Sequence, residues 1–177
     1  AVEVAATGKI VTIGIEPTEP AVGFGYIKTG EVISGTAKNV LKFVEKPNIA
    51  KARRYVESGN YLWNAGMFIA PAALLLDQLA KSEPALHAAI MDLASQWDTD
   101  NRKAAIEKIW PTLKKVAIDY SVAEPAAAAG LVAVIPASFS WHDVGDFAAI
   151  AELQSQGRRG NLAVLGNAKV LADSADT

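Results

Sequence analysis

Three short runs of this chain set polar side chains beside a tight backbone: Phe43-Val44-Glu45-Lys46-Pro47, Trp63-Asn64-Ala65-Gly66-Met67-Phe68 and Trp141-His142-Asp143-Val144-Gly145. Each reads as a β-strand that ends in residues able to do chemistry. A carboxylate, an amine, an amide and a second carboxylate can together grip a phosphorylated sugar and a metal ion. Glu45 can accept hydrogen bonds from hydroxyls, and Lys46 offers a point charge to a phosphate. Pro47 has no N–H, so it ends the ladder and is expected to hold Lys46 extended. Taken alone, Glu45 and Lys46 read more readily as an exposed ion pair, which is common and worth little.

The Asn64 amide, if buried, must satisfy both its N–H groups and its oxygen, and a pair of sugar hydroxyls would do so. Its plain alternative is a turn residue between Tyr61-Leu62 and the next strand. Gly66 permits either close ligand approach or a bulge. Asp143 is suited to Mg²⁺, which takes one or two carboxylates alongside water and phosphate oxygens; it also suits an ordinary turn. Asp119, ahead of Tyr120-Ser121, reads as a helix cap that can also orient Lys46 or hold a sugar through a network. His142 is not assigned as a base, because phosphoryl chemistry needs positioning and charge more than proton transfer. Trp63 and Trp141 flank the motifs and are expected to shape a pocket, whereas Trp97 and Trp110 are expected in the core.

The elements that must hold these groups follow from periodicity. Lys9 to Ile15 is a buried strand. Glu16 to Pro20 is a loop, and Gly23-Phe24-Gly25-Tyr26-Ile27-Lys28 a second strand whose glycines admit a ligand to the backbone. Thr29 to Lys38 reads as a turn and Val40 to Val44 as a third strand. Asn48 caps a helix that Gly59 stops. Ala65 to Ala70 returns to strand, and Pro71 opens a helix rich in leucine. Pro84 to Trp97 and Arg102 to Ile109 are amphipathic helices. Asp119 to Ala129 is helical, Leu131 to Ile135 is a strand, and Asp146 caps a helix to about Leu153. Strands alternating with helices predict an α/β layered fold with ligands at the carboxyl ends of strands.

Composition bounds the rest. The chain has 177 residues, 51% of them hydrophobic and 20% charged, as a globular domain has. No stretch approaches the roughly 20 apolar residues of a membrane span. A net charge of -2 gives no general attraction for nucleic acid or anionic lipid. With no cysteine and two histidines, disulfides, thiol chemistry and a zinc site are set aside, which fits a reducing cytoplasm. Both ends read as abrupt: the first residues resemble the end of a helix closed by Gly8, and 161–166 and 169–172 resemble strands of an unfinished β element. The polar stretch Gln154 to Gly160 is the expected boundary. Residues 1–153 then form one domain portion, and 154–177 a linker with the start of a C-terminal β element.

Together, these runs and Ile118-Asp119-Tyr120-Ser121-Val122 resemble the mannose-1-phosphate guanylyltransferases, from about Ile10 to Leu153. The Glu-Lys-Pro signature is shared by many sugar-1-phosphate nucleotidyltransferases; the Trp-Asn-Ala-Gly-Met-Phe run is more typical of the mannose branch. The resemblance implies a Rossmann-like fold, with a mixed, mostly parallel sheet flanked by helices. It also implies transfer of GMP from GTP to mannose 1-phosphate with release of pyrophosphate. By that likeness Lys46 and Asp143 are catalytic: Lys46 neutralises the sugar phosphate, and Asp143 holds Mg²⁺ as the cofactor. Gly25, Glu45 and Asn64 bind the sugar, with Asp119 a looser member of the set. Homo-oligomer formation is left open by the resemblance.

Phe24 departs from the family's usual Tyr and lacks the hydroxyl that Tyr would offer. The family's Gly-rich, Arg-containing nucleotide loop and first metal-binding Asp have no counterpart here. The N-terminal half of the domain is therefore expected to be missing, these residues to supply the sugar-phosphate side, and the 177 residues alone not to turn over. A UTP- or dTTP-dependent glucose-1-phosphate nucleotidyltransferase and a non-catalytic nucleotide-sugar sensor are the competing readings.

Overall fold

A computed structural model describes residues 1–139, 141–145, 147, 149 and 150. The chain divides into two compact units, Ala1–Phe139 and Ser140–Thr177. Phe147, Ala149 and Ile150 are helical, in line with the helix expected from Asp146, while the boundary at Gln154 to Gly160 and the C-terminal strands lie outside the described residues.

The first unit holds five strands, β1 (Ile10–Ile15), β2 (Tyr26–Ser34), β3 (Ala37–Val44), β4 (Tyr61–Ile69) and β5 (Val132–Ala137). They close in the order β1-β4-β2-β3-β5. Among the described residues only β1 and β5 run parallel; the other four pairings are antiparallel. The sheet is mixed, as expected, but it is not mostly parallel. The reason is local: β2 and β3 form a direct hairpin about Gly35, and β4 returns against both β1 and β2. The β2–β3 hairpin is a tight return, which makes its strands antiparallel, whereas parallel neighbours need a long crossover. The path from β1 to β5 has that length. Pro136 lies in β5 beyond the residues paired with β3, where a missing N–H costs no ladder bond on that side.

Alternate residues of β1 serve two cores. Ile10 joins Ile27, Val40, Phe43, Val132 and Val134 against Val122, Ala123, Ala126 and Ala127. Val11 and Ala133 pack instead with Val4, Ala5 and Ala37, so the short helix α1 (Val2–Ala5) covers that side. Fully burying side chains of this size stabilises by about 1.5–3 kcal/mol each, before the entropy of ordering the chain.

Several boundaries follow the expectation. In α2 (Ile49–Ser58) the Asn48 side chain accepts the Lys51 N–H at 3.0 Å, and Gly59 closes the helix at φ 66. Helices α3 (Ala72–Ser82), α4 (Pro84–Ser95) and α5 (Arg102–Ile109) follow, with Pro71 just ahead of α3. Four expectations need correction. The second strand begins at Tyr26, leaving Gly23 and Gly25 outside it, and runs to Ser34, so Thr29 to Ser34 is strand rather than turn. Strand β4 begins at Tyr61, so Asn64 lies within a strand and not in a turn. Trp97 and Trp110 are 51% and 64% exposed, because each sits just past the end of a short helix and not on its inner face. The guanidinium of Arg102 covers the Trp97 ring at 5.7 Å. Finally, Trp141 to Gly145 form no strand. No helix among the described residues is long and apolar enough to cross a membrane.

Candidate functional site

The hydrogen-bonded register between β1 and β4 slips where the site begins. Thr12 faces Phe68 and Gly14 faces Asn64, so two steps along β1 span four along β4. The surplus residues bulge, and Gly66 takes the left-handed backbone at φ 72 that the bulge requires. This resolves the two readings of Gly66 in favour of the bulge, which re-aims the Asn64 side chain.

Asn64 is 7% exposed and fully oriented. The Thr12 hydroxyl donates to Asn64 Oδ1 at 2.7 Å, and Asn64 Nδ2 donates to Asp119 Oδ1 at 3.2 Å. The polarity of this chain is forced. An ionised carboxylate only accepts, so the NH₂ must face Asp119, the oxygen must face Thr12, and the hydroxyl must donate. One amide hydrogen and one oxygen lone pair remain for a ligand.

Beside Asn64 stand Gly25 and Glu45. The Asn64 backbone N–H donates to Gly25 O at 2.8 Å. A Cβ placed on Gly25 would sit 2.6 Å from Glu45 Oε2 and 3.3 Å from Asn64 Cβ. The glycine is thus what lets the carboxylate, amide and backbone share one space. Gly25→Ala is expected to displace the Glu45 carboxylate and weaken sugar-phosphate binding about tenfold, which a binding isotherm on the full chain would check. A variant that binds as well as the wild type would mean that the carboxylate is not needed where it stands.

Lys46 lies at the rim. Its ammonium pairs with Glu45 Oε1 at 2.5 Å, with side-chain exposures of 59% for the lysine and 7% for the glutamate. The hydrogen bond to Glu45 comes first, then the attraction of the same carboxylate, with Asp119 adding to it; together they hold the ammonium above its ordinary value of 10.5. It therefore carries its charge throughout the neutral range. The expected extended backbone is not found: Lys46 has φ 44, a left-handed conformation that side-chain-bearing residues adopt at a cost. With the chain reversing there, the lysine side chain folds back over Glu45 instead of pointing to the opposite face.

Asp119 is not a cap. It is the first residue of a π turn, Asp119–Ala123, preceded by Ile118, and its side chain goes to Asn64. Thus Gly25, Glu45, Lys46, Asn64 and Asp119 converge in the first unit. Asp143 belongs to the second unit, where it is exposed in a segment without regular structure. Two members of the site were missed from sequence. Thr12 is 0% exposed inside a strand of apolar residues, where a buried hydroxyl is the one available signal. Glu124 accepts the Glu45 backbone N–H at 3.1 Å, and only its five-residue spacing from Asp119 marks it.

No group of three His, Cys, Asp or Glu side chains able to hold a metal occurs among the described residues. A lone Asp143 carboxylate still fits an ion held mainly through substrate phosphates and water.

The nucleotidyl transferase family pattern matches residues 1–159. The mannose-1-phosphate guanylyltransferase of Sinorhizobium fredii is 39% identical over 162 residues, 89% of this chain and 30% of the relative. That of Escherichia coli strain K12 is 38% identical over 163 residues, 89% of this chain and 34% of the relative. A solved structure from Thermus thermophilus, described as a mannose-1-phosphate geranyltransferase, matches at a TM-score of 0.72 and 32% identity. The match covers 88% of this chain and 43% of that one. The chain spans about a third of the length of the curated relatives it matches.

Proposed function

The chain belongs to the nucleotidyl transferase family, and from this we propose that the protein transfers GMP from GTP to mannose 1-phosphate, releasing pyrophosphate. The observation that carries the reading is the convergence of Gly25, Glu45, Asn64 and Asp119 beneath a charged, exposed Lys46. The names of the similar proteins support mannose as the sugar and guanine as the base. Residues 1–153 supply the sugar-phosphate side of the site in a domain whose mixed sheet is flanked by helices. The Gly-rich, Arg-containing loop of the nucleotide side has no counterpart in these residues, so no residue here is assigned to the GTP base. Nucleoside triphosphate and sugar phosphate meet in the cytoplasm, which is where we place the protein.

In this scheme the sugar phosphate enters as an anion and draws the Lys46 ammonium from Glu45 to itself. The freed Glu45 carboxylate then accepts hydrogen bonds from sugar hydroxyls, and Asn64 offers its remaining N–H and lone pair. Gly25 leaves room for the sugar against the backbone. A phosphate oxygen attacks the α-phosphorus of GTP; that P–O bond forms as the bond to the β-phosphate oxygen breaks, and pyrophosphate leaves in line with the electron pair. The nucleophile is already anionic, so no side chain need remove a proton. Holding both reactants in line lowers the barrier by converting an encounter into an intramolecular step. Asp143 would hold a divalent ion, proposed as Mg²⁺. Such an ion supplies neutralisation of the charge on the reacting phosphates.

The test is pyrophosphate release by the full chain with mannose 1-phosphate and Mg²⁺, offering GTP, UTP and dTTP separately. Release with GTP alone is the expected result. Release with UTP or dTTP would move the base specificity. Binding of nucleotide sugar without any release would turn the reading to a sensor.

A further inference from the structure

The π turn that begins at Asp119 does more than carry that residue. Its hydrogen bonding runs from each N–H to a carbonyl five residues back, and the Glu124 N–H closes it on Asp119 O. Residues five apart therefore stand over one another, whereas an α-helix would rotate them by about 140°. Both carboxylates leave this one turn for residues of two different strands. Asp119 Oδ1 takes the Asn64 amide of β4, and Glu124 Oε1 takes the backbone N–H of Glu45, which follows the last residue of β3. The turn itself is anchored: Ser121, Val122 and Ala123 are buried, and the Ser82 hydroxyl donates to Ser121 O.

The Glu45 N–H needs such a partner. The β2–β3 pairing ends at Tyr26 opposite Val44, so Glu45 has no place in that ladder. The following residue, Lys46, holds its left-handed φ of 44 only if the chain on each side is fixed. Buried Pro47 fixes one side; Glu124 fixes the other. We propose that Glu124 is a positioning residue, acting through the Glu45 backbone amide to set where the Glu45 carboxylate and Lys46 ammonium stand, with the π turn holding it in register with Asp119. This rests on the proposed sugar-phosphate site. It requires of Glu124 an acceptor atom and not a charge. A role confined to the first turn of α6 (Glu124–Ala128) would instead follow the charge.

The experiment compares wild type, Glu124→Ala and Glu124→Gln in the full chain. Two quantities are read: the steady-state constants for mannose 1-phosphate and GTP, and amide hydrogen exchange at Glu45 and Lys46. Glu124→Ala is expected to raise KM for the sugar phosphate about tenfold and speed exchange of the Glu45 amide at least about tenfold, leaving KM for GTP within about twofold. Glu124→Gln keeps an acceptor oxygen and is expected to restore both effects to within about threefold. Unchanged exchange in Glu124→Ala, or equal impairment of both variants, overturns the proposal. A wild type that releases no pyrophosphate with any nucleotide overturns the function reading instead, and the exchange data still decide whether Glu124 holds this turn.

Discussion

Lys46→Ala in the full chain is expected to lower kcat/KM for mannose 1-phosphate by about 10³-fold, because a cation placed on a reacting phosphate group acts where charge accumulates. Two losses combine. The substrate phosphate forfeits its charge-assisted partner, and the Glu45 carboxylate, 7% exposed, is left facing an anion without its own cation. Lys46→Arg is expected to rescue only in part. A planar guanidinium cannot replace a compact ammonium that must exchange between two acceptors on a backbone at φ 44. The pH dependence has a definite sign. The Lys46 ammonium is held above 10.5 by Glu45, so the ion pair is intact below that value and is lost as pH rises through the folded value. The pair is largely solvated on the lysine side, so its stability contribution is small. Activity between pH 7 and 9 should show no titration of Lys46. Steady-state kinetics over that range, with a loss of less than tenfold in Lys46→Ala, would remove the lysine from the mechanism.

Asp143→Ala is expected to reduce turnover by about 10²–10³-fold while changing mannose 1-phosphate affinity by less than about threefold. The separation follows from what a carboxylate at an exposed position can do. In the proposed role it serves an ion held otherwise by phosphates and water, and not the sugar hydroxyls assigned to Asn64 and Glu45. The half-saturating Mg²⁺ concentration should rise in the variant, and excess chelator should silence the wild type. Calorimetric binding beside pyrophosphate release gives both numbers. Equal turnover at every metal concentration would show that Asp143 is not a ligand, and parallel losses of binding and turnover would move it to the sugar side.

The parts of this fold that sequence revealed are those decided within a few residues. Asn48 and Gly59 bracket α2 because a cap and a left-handed stop are local events. The Glu-Lys-Pro and Trp-Asn-Ala-Gly runs marked the candidate site by occurring together and in one order, since each alone reads as an ordinary strand end or bulge. What stayed hidden depends on distance along the chain. Thr12 meets Asn64 across 52 positions and Glu124 meets Glu45 across 79, and no periodicity records such meetings. Asp119 was visible as a polar residue opening a helix, but the π turn that directs its side chain is a backbone choice made by the packing of Ser121, Val122 and Ala123. Lys46 shows the same limit in reverse. The following proline argued for extended backbone, and the demands of the site overrode it at one residue.

The closed order of the strands has a consequence for assembly. An open sheet leaves a row of unpaired N–H and C=O groups, onto which a strand of another chain can add. Here, among the described residues, every strand has a neighbour on both sides, and the narrowest seam is the two-residue pairing of β3 with β5. Copies of this protein that associate through the first unit must therefore meet by side chains on helices, turns and the hairpin, such as the exposed Val32 and Leu41, and not by extending a sheet from one molecule into the next. Substitutions that loosen the Lys38–Val134 seam would change that, turning a self-contained barrel into one with two adhesive margins.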